Sequence, residues 1–379
     1  MIKKRILVSA LLMSAVVFAG SLKPFMPMPD TDGKHINAHG CGILFHDGLY
    51  YMYGEHKLGG REGFTAQVGV SCYSSPDLYV WKNEGTALAV SQESGSDIEK
   101  GCVIERPKVL YNEKTGKFVM WFHLELKGRG YQAARTAVAV ADKPAGPFQF
   151  IRSLRPDAGR WPVNCPDYGK SPLEPYQVEA YEDKLAVDEM GECGLFLRRD
   201  FKGGQMSRDM TLFADDDGTA YHIHASEENQ TLHISRLTDD YLDFTGEYVR
   251  VEPGRSNEAP AICKYDGKYY MITSGCTGWA PNQARSLTAD NIFGPWQNTG
   301  NPCRGINPHN GLGPDKTWGA QSTFLLPIPG ASGKFVAVFD CWNPNNMIDS
   351  RYLFLPAIIE NSAIKVDWRD EWTLSDFTK

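Results

Sequence analysis

Three carboxylic acids and one carboxamide stand at matching places along the chain. They are Glu105, Asp209, Glu258 and Gln321. Each lies at the polar start of an apolar, strand-like segment: GCVIERPKV (101–109), SRDMTLF (207–213), NEAPAIC (257–263) and AQSTFLLP (320–327). A fifth segment of the same kind, AHGCGIL (38–44), carries His39. A buried, unpaired carboxylate is costly, so acids that recur at such positions point to a site. Two carboxyl groups around a sugar ring are the parts for breaking a glycosidic bond. One protonates the leaving oxygen, and the other acts as base or nucleophile on the opposite face. Glu258 suits the acid, because no cation stands beside it in Asn257-Glu258-Ala259-Pro260. A second carboxylate, Glu105 or Asp209, would raise its pKa and hold its proton. Asp209 alternatively would accept hydrogen bonds from sugar hydroxyls. Arg106 beside Glu105 and Arg208 beside Asp209 also allow plain structural ion pairs.

A repeat brings these distant residues together. HDGLYYMYGE (46–55), KTGKFVMWFH (114–123), DDGTAYHIHA (216–225), YDGKYYMITS (265–274) and ASGKFVAVFD (331–340) are five copies of one unit. In each, a glycine closes a turn and an aromatic, β-branched run follows. Glycine supplies the positive φ that a tight hairpin turn needs. Further strand patterns follow most copies, such as GVSCYSSPDLYVW (69–81) and ARSLTADNIFGPW (284–296). Four strands per repeat, five times over, predict an all-β fold, a five-bladed β-propeller. The inner strand of each blade then lines a central channel, where the five opening segments converge. Residues 152–205 break the pattern and predict a long insertion between blades two and three. Within it, LEPYQVEAYEDKLAVDEMGECGLFLRRD (173–200) has room for a hairpin of its own.

The chain has 379 residues, 42% hydrophobic and 22% charged, which suits a globular protein with one large β domain over 20–379. A net charge of −7 and the lack of a basic run argue against nucleic acid as partner. Lys3, Lys4 and Arg5, an apolar run over 6–18 and Val17-Phe18-Ala19 before Gly20 have the layout of a secretory signal peptide over 1–19. The expected location is periplasmic or secreted, with no membrane span in the mature chain. The nine cysteines are an odd number and show no zinc spacing. Cys165 and Cys193 share the irregular stretch, where a bridge could join them. The turn SGCTGW (274–279) reads either as a sugar-stacking wall or as a tight blade connection.

These segments, in order from about residue 38 to the C-terminus, resemble glycoside hydrolase family 43, and within it the exo-β-1,3-galactanase branch. The resemblance implies an inverting, exo-acting hydrolase of oligosaccharides or polysaccharides such as β-1,3-galactan. It implies no cofactor and no catalytic metal, and leaves room for a structural calcium in the axial channel. Most of the family carries a base Asp on the first inner strand. Here that position falls at His39-Gly40 and holds none, an absence the branch shares. Gln321 matches the branch's base-position Gln, thought to act as its imidic acid tautomer, and Glu258 matches the general acid. Glu105 matches the pKa-modulating Asp of the family and here would grip the terminal sugar. Glu55, Tyr131, Asp209, Thr277 and Trp279 match contacts to the terminal galactose. An amide is a poor base, so Gln321 as a mere substrate ligand, with His39 or another group taking the proton, is the competing reading. A galactofuranosidase, an arabinofuranosidase and a non-catalytic sugar-binding propeller are the alternatives in function.

Overall fold

A computed structural model describes residues 20–377. The expected signal peptide lies outside the described residues. Within them, no helix is long and apolar enough to cross a membrane. Five antiparallel sheets follow one another in sequence around an axis, as the repeat predicts. Blade one is His39–His46, Leu49–Glu55, Gly69–Ser75 and Lys82–Ala89; blade two is Val103–Asn112, Lys117–Glu125, Arg135–Ala141 and Gln149–Leu154. Blade three is Met210–Ala214, Ala220–Ser226, Thr231–Leu237 and Phe244–Val251. Blade four is Asn257–Tyr265, Lys268–Gly275, Arg285–Ala289 and Gln297–Gly300. Blade five is Gln321–Pro327, Lys334–Cys341, Arg351–Glu360 and Ala363–Asp367, with Cys303–Arg304 added in parallel at its outer edge. The hairpin glycines do what the repeat requires: Gly48, Gly116, Gly218, Gly267 and Gly333 all have φ between 66° and 80°.

Alternation along each strand sends one set of side chains to each neighbouring blade. The core is therefore split into wedges between blades. Val70, Leu88, Met120 and Phe122 fill the wedge between blades one and two. Ile223, Ile234, Ile262 and Met271 fill that between three and four; Ile272, Leu325, Phe339 and Leu353 fill that between four and five. The ring closes through Ile43, Met52, Val336 and Phe354 between blades five and one. There the chain ends meet as well: Leu22 and Trp372 exchange backbone hydrogen bonds of 2.8 and 3.1 Å. Each such side chain contributes about 2 kcal/mol by leaving water.

The segment between blades two and three begins later than the sequence pattern suggests. Residues 152–154 still belong to the last strand of blade two. Beyond them no hairpin forms. Three one-turn helices follow instead: α1 (Pro175–Glu179), α2 (Val187–Glu192) and α3 (Leu195–Arg199). Local capping favours helix over strand here. The Gln177 and Glu189 side chains each accept the backbone N–H of the residue preceding their helix, at 2.8 Å, and Pro175 takes the first helical position. Val178, Met190, Leu195 and Phe196 give this segment a small core. Among the described residues all nine cysteines are free, so Cys165 and Cys193 are not bridged.

Candidate active site

Four inner strands slip register at the same level. The slips fall between His39 and Gly42, Glu105 and Lys108, Glu258 and Ala261, and Ser322 and Phe324. At three of them a residue takes positive φ: Gly40 (61°), Arg106 (51°) and Ala259 (52°). A bulge of this kind bends the strand and re-aims the side chains beside it. Here it gathers residues of all five blades around one cavity of about 260 Å³. Glu55, Glu105, Tyr131, Asp209, Glu258, Trp279 and Gln321, all expected at the site, line it together. Thr277 does not. Its hydroxyl donates to Ala280 O (2.6 Å) and accepts from Asn282, so it shapes its own loop. His39 also lies outside the lining. It is fully buried, stacked on Tyr352, and burial pushes it well below the usual imidazole range.

The ion pairs differ from the neighbour pairs read in sequence. The bulge at Arg106 turns its side chain to the axis beside Glu105, yet the two do not pair. Arg106 Nε instead meets Asp209 Oδ2 of blade three at 2.8 Å. Its Nη2 donates to Gln321 Oε1 (2.6 Å), its Nη1 to Ser322 O (2.9 Å), and its backbone N–H to Glu55 Oε1 (2.9 Å). One cation thus ties four blades at the floor of the pocket. Glu105 is served by His123 (2.9 Å), whose other nitrogen meets Glu125 at 3.1 Å, and by the Tyr131 hydroxyl at 2.6 Å. Burial alone would strip His123 of its proton, but hydrogen bonds to the two carboxylates outweigh it and hold the ring up to about 9. Burial likewise opposes ionisation of Glu105; the His123 hydrogen bond and charge win and hold it at about 2.

Glu258 is pushed the other way. Burial first, then the charge of Asp209, raise its carboxyl to about 7. Asn229 donates to its Oε1 at 2.7 Å. Gln321 is held at both ends: Oε1 accepts from Arg106 and from Trp342 Nε1 (3.0 Å), and Nε2 donates to Ser274 Oγ (2.9 Å). Ser274 is the register partner of Glu258, so the amide is anchored on the strand next to the acid's own. Trp279 packs between Phe64 (5.3 Å) and Trp342 (5.2 Å), forming an aromatic wall.

Among the described residues one His/carboxylate group, Glu105, His123 and Asp209, has ligand atoms within 4.8 Å of one another. A cation does not suit it. His123, held protonated between two carboxylates, offers no lone pair to a metal, and Arg106 already balances the charge of Asp209. Deeper in the channel, Lys108 Nζ donates to Gly40 O at 2.8 Å. Burial pushes Lys108 down to about 7, and its amine nitrogen already occupies the Gly40 carbonyl, so this spot does not fit a calcium.

Sequence reasoning missed Arg106 as a site residue, and with it His123, Asn229, Cys276 and Trp342. A signal for part of this set was in the repeat. The quoted copies end on Glu55, His123, Ala225, Ser274 and Asp340. Four of these pair in register with His39, Glu105, Glu258 and Gln321. The last residue of four of the hairpins therefore marks a second ring around the axis.

A profile described as glycosyl hydrolases family 43 matches residues 195–313, which include Asp209 and Glu258. A solved family 43 β-1,3-galactosidase, with galactodeoxynojirimycin, is 53% identical, with 93% of this chain and 100% of that one covered and a TM-score of 0.87. The chain belongs to glycoside hydrolase family 43. An exo-β-1,3-galactanase from Phanerochaete chrysosporium, solved with β-1,3-galactotriose, is 30% identical over 93% of this chain and 68% of that one, with a TM-score of 0.73. A β-D-galactofuranosidase from Aspergillus niger is 22% identical over 256 residues. That match takes in 66% of this family 43 chain and spans 60% of the curated relative's length.

Proposed function

We propose that this protein is an exo-acting, inverting hydrolase that releases galactose from the ends of β-1,3-galactan or of arabinogalactan chains. The observation that carries the reading is Glu258, a pocket-lining carboxyl raised to about 7 and so able to hold its proton near neutral pH. Residues from all five blades surround the cavity, which suits a chain end better than the middle of a polymer. The likeness to β-1,3-galactosidase and galactanase structures supports galactose over galactofuranose, for which the relative is far more distant.

In this reading Glu258 protonates the glycosidic oxygen as the bond to the anomeric carbon breaks, and water attacks from the opposite face. Ionised Glu105, with Tyr131, and Asp209, with Arg106, accept hydroxyls of the terminal sugar, and Trp279 stacks on an apolar sugar face. Gln321 stands on the water's side. Two donors fill the lone pairs of its Oε1, so this hydrogen bonding holds the amide form; the imidic acid would need Arg106 or Trp342 to let go. The second N–H of Nε2 is then the group that orients water, and the proton this water loses on bonding to the anomeric carbon passes to bulk water. The basic, apolar and small-residue order of residues 3–19 supports export to the periplasm or beyond, where such polysaccharides are met.

The test is NMR of β-1,3-galactotriose during digestion. α-Galactose and β-1,3-galactobiose should appear first. β-Galactose as first product, cleavage only of furanosides, or binding without release would each sink the reading.

A further inference from the structure

The turn joining the second and third strands of blade three holds three successive residues in the left-handed region: Glu227 (φ 52°), Glu228 (55°) and Asn229 (64°). Of these only Asn visits that region with ease, and each such residue costs on the order of 1 kcal/mol. A run of this kind persists where its surroundings over-determine it. Glu227 is fully buried and accepts from Arg250 Nε and Nη2 at 2.7 Å each, with His233 Nε2 at 2.9 Å. Glu228 Oε1 accepts from Arg199 Nη2 at 2.9 Å. Gln230 closes the turn by accepting from Ser256 Oγ at 2.9 Å. One of these anchors belongs to the segment between blades two and three, and another, from blade three, is tied to it. Arg199 is the last residue of α3, and Arg250 also donates to Gly191 O, in α2, at 2.5 Å.

The strained turn delivers Asn229, whose Nδ2 donates to Glu258 Oε1 at 2.7 Å and reaches Cys276 Sγ at 3.6 Å. A protonated carboxyl has one oxygen that carries hydrogen and one that can only accept. An N–H aimed at Oε1 makes Oε1 the acceptor and leaves the proton on Oε2. We propose that Asn229 is the positioning residue that places the acid's proton on Glu258 Oε2, and that the segment between blades two and three braces it through Arg199 and Glu228. This rests on the reading of Glu258 as general acid. In the step, the Oε2 proton passes to the glycosidic oxygen, which also takes the electron pair of the breaking C–O bond. The carboxylate left behind keeps the Asn229 hydrogen bond, which strengthens as its charge develops.

Substrates that differ in leaving group test this. 2,4-Dinitrophenyl β-galactoside departs without protonation, whereas β-1,3-galactobiose needs the acid. Asn229→Ala should lose about 10- to 100-fold in kcat/KM on galactobiose, part of what general acid catalysis supplies. On the dinitrophenyl substrate it should stay within about threefold of wild type, which also shows that the variant is folded. Arg199→Ala should show a smaller loss with the same leaving-group pattern. The double variant should add little to Asn229→Ala, because the two act through one contact. Equal losses on both substrates, or no loss on galactobiose, overturn the role of Asn229. Strict additivity, or an Arg199→Ala loss blind to the leaving group, overturns the brace. Failure of the underlying reading looks different: Glu258→Gln itself would then show no leaving-group dependence.

Discussion

Two pocket carboxyls, Glu105 buried and Glu258 half-buried, are driven in opposite directions. Glu105 has a protonated imidazole and a phenol and stays ionised; Glu258, raised first by its loss of water and then by the Asp209 charge, stays protonated to about 7. A pair of acids pushed apart in this way is how one site keeps an acid and a charged hydrogen-bond acceptor at the same pH. The sign of the pH dependence follows. The acid works only while it carries its proton, so kcat should fall as pH rises through about 7. Asp209→Asn removes the like charge and should move that limb to lower pH. Glu258→Gln keeps the shape but has no proton to give, and should cost about 10²- to 10⁴-fold in kcat on galactobiose with little change in KM. A Glu258→Gln variant with wild-type turnover, or an Asp209→Asn limb that moves upward, would contradict this assignment.

The elements that aim these groups are bulged strands, and the first of them leaves no room for a side chain at 40, near where the resemblance puts the family's usual base. A Cβ on Gly40 would lie 2.4 Å from Glu55 Oε1 and 3.3 Å from the Arg106 backbone nitrogen, at a φ of 61°. The Glu55 carboxylate occupies the room in which a side chain at 40 would begin, and Lys57 pairs with it at 2.6 Å. Gly40→Asp therefore should not restore a base. It should displace Glu55, loosen the Arg106 contact and lower kcat/KM on galactobiose by at least about tenfold, with Gly40→Ala costing nearly as much because backbone strain and collision are shared. A gain of activity in Gly40→Asp would show that the space is free. The hairpins and their glycines were legible in the sequence, because turn chemistry and strand alternation are local. The bulges were not, because one extra residue changes which side chain faces the axis without changing composition. Arg106 was hidden for that reason, read as the partner of Glu105 when it serves Asp209, Gln321 and Glu55. The short helices 175–199 were hidden too, since their capping side chains lie among charges that read equally well as loop.

At the scale of the whole ring, the wedge between blades two and three stands apart. Its apolar part, around Trp121, Val138 and Leu212, gives way to a buried chain of polar groups. Thr136 Oγ1 meets His222 Nε2 at 2.9 Å, His222 Nδ1 meets His224 Nδ1 at 3.1 Å, and the His224 ring packs 5.5 Å from His233. Burial lowers His222 to about 3 and His224 well below its ordinary value, with no carboxylate against either. A histidine kept neutral in the fold but free to charge when unfolded supports stability above about 6.5; that support fades as pH falls toward the folded value, at about 1.4 kcal/mol per unit. His39, also pushed down by burial, adds to this loss, whereas Asp340 and Glu258, raised to about 7, and Asp157, raised to about 6, mainly by burial, oppose it, because the fold prefers them protonated. Their help ends near the ordinary carboxylate pKa of about 4, once the unfolded chain binds the same protons. Below that, Glu227 and Glu105, both held at about 2, join the histidines in favouring the unfolded state. Tm should therefore change little between about pH 6.5 and 4 and drop steeply below. His222→Asn isolates the histidine's share. It should melt below wild type at pH 7, where the neutral ring is an asset, and the gap should narrow steadily as pH is lowered from 6.5 toward 4, because the variant has no buried imidazole to protonate. A gap in Tm that stays constant over that range would mean that His222 is a packing group and that acid unfolds the ring elsewhere.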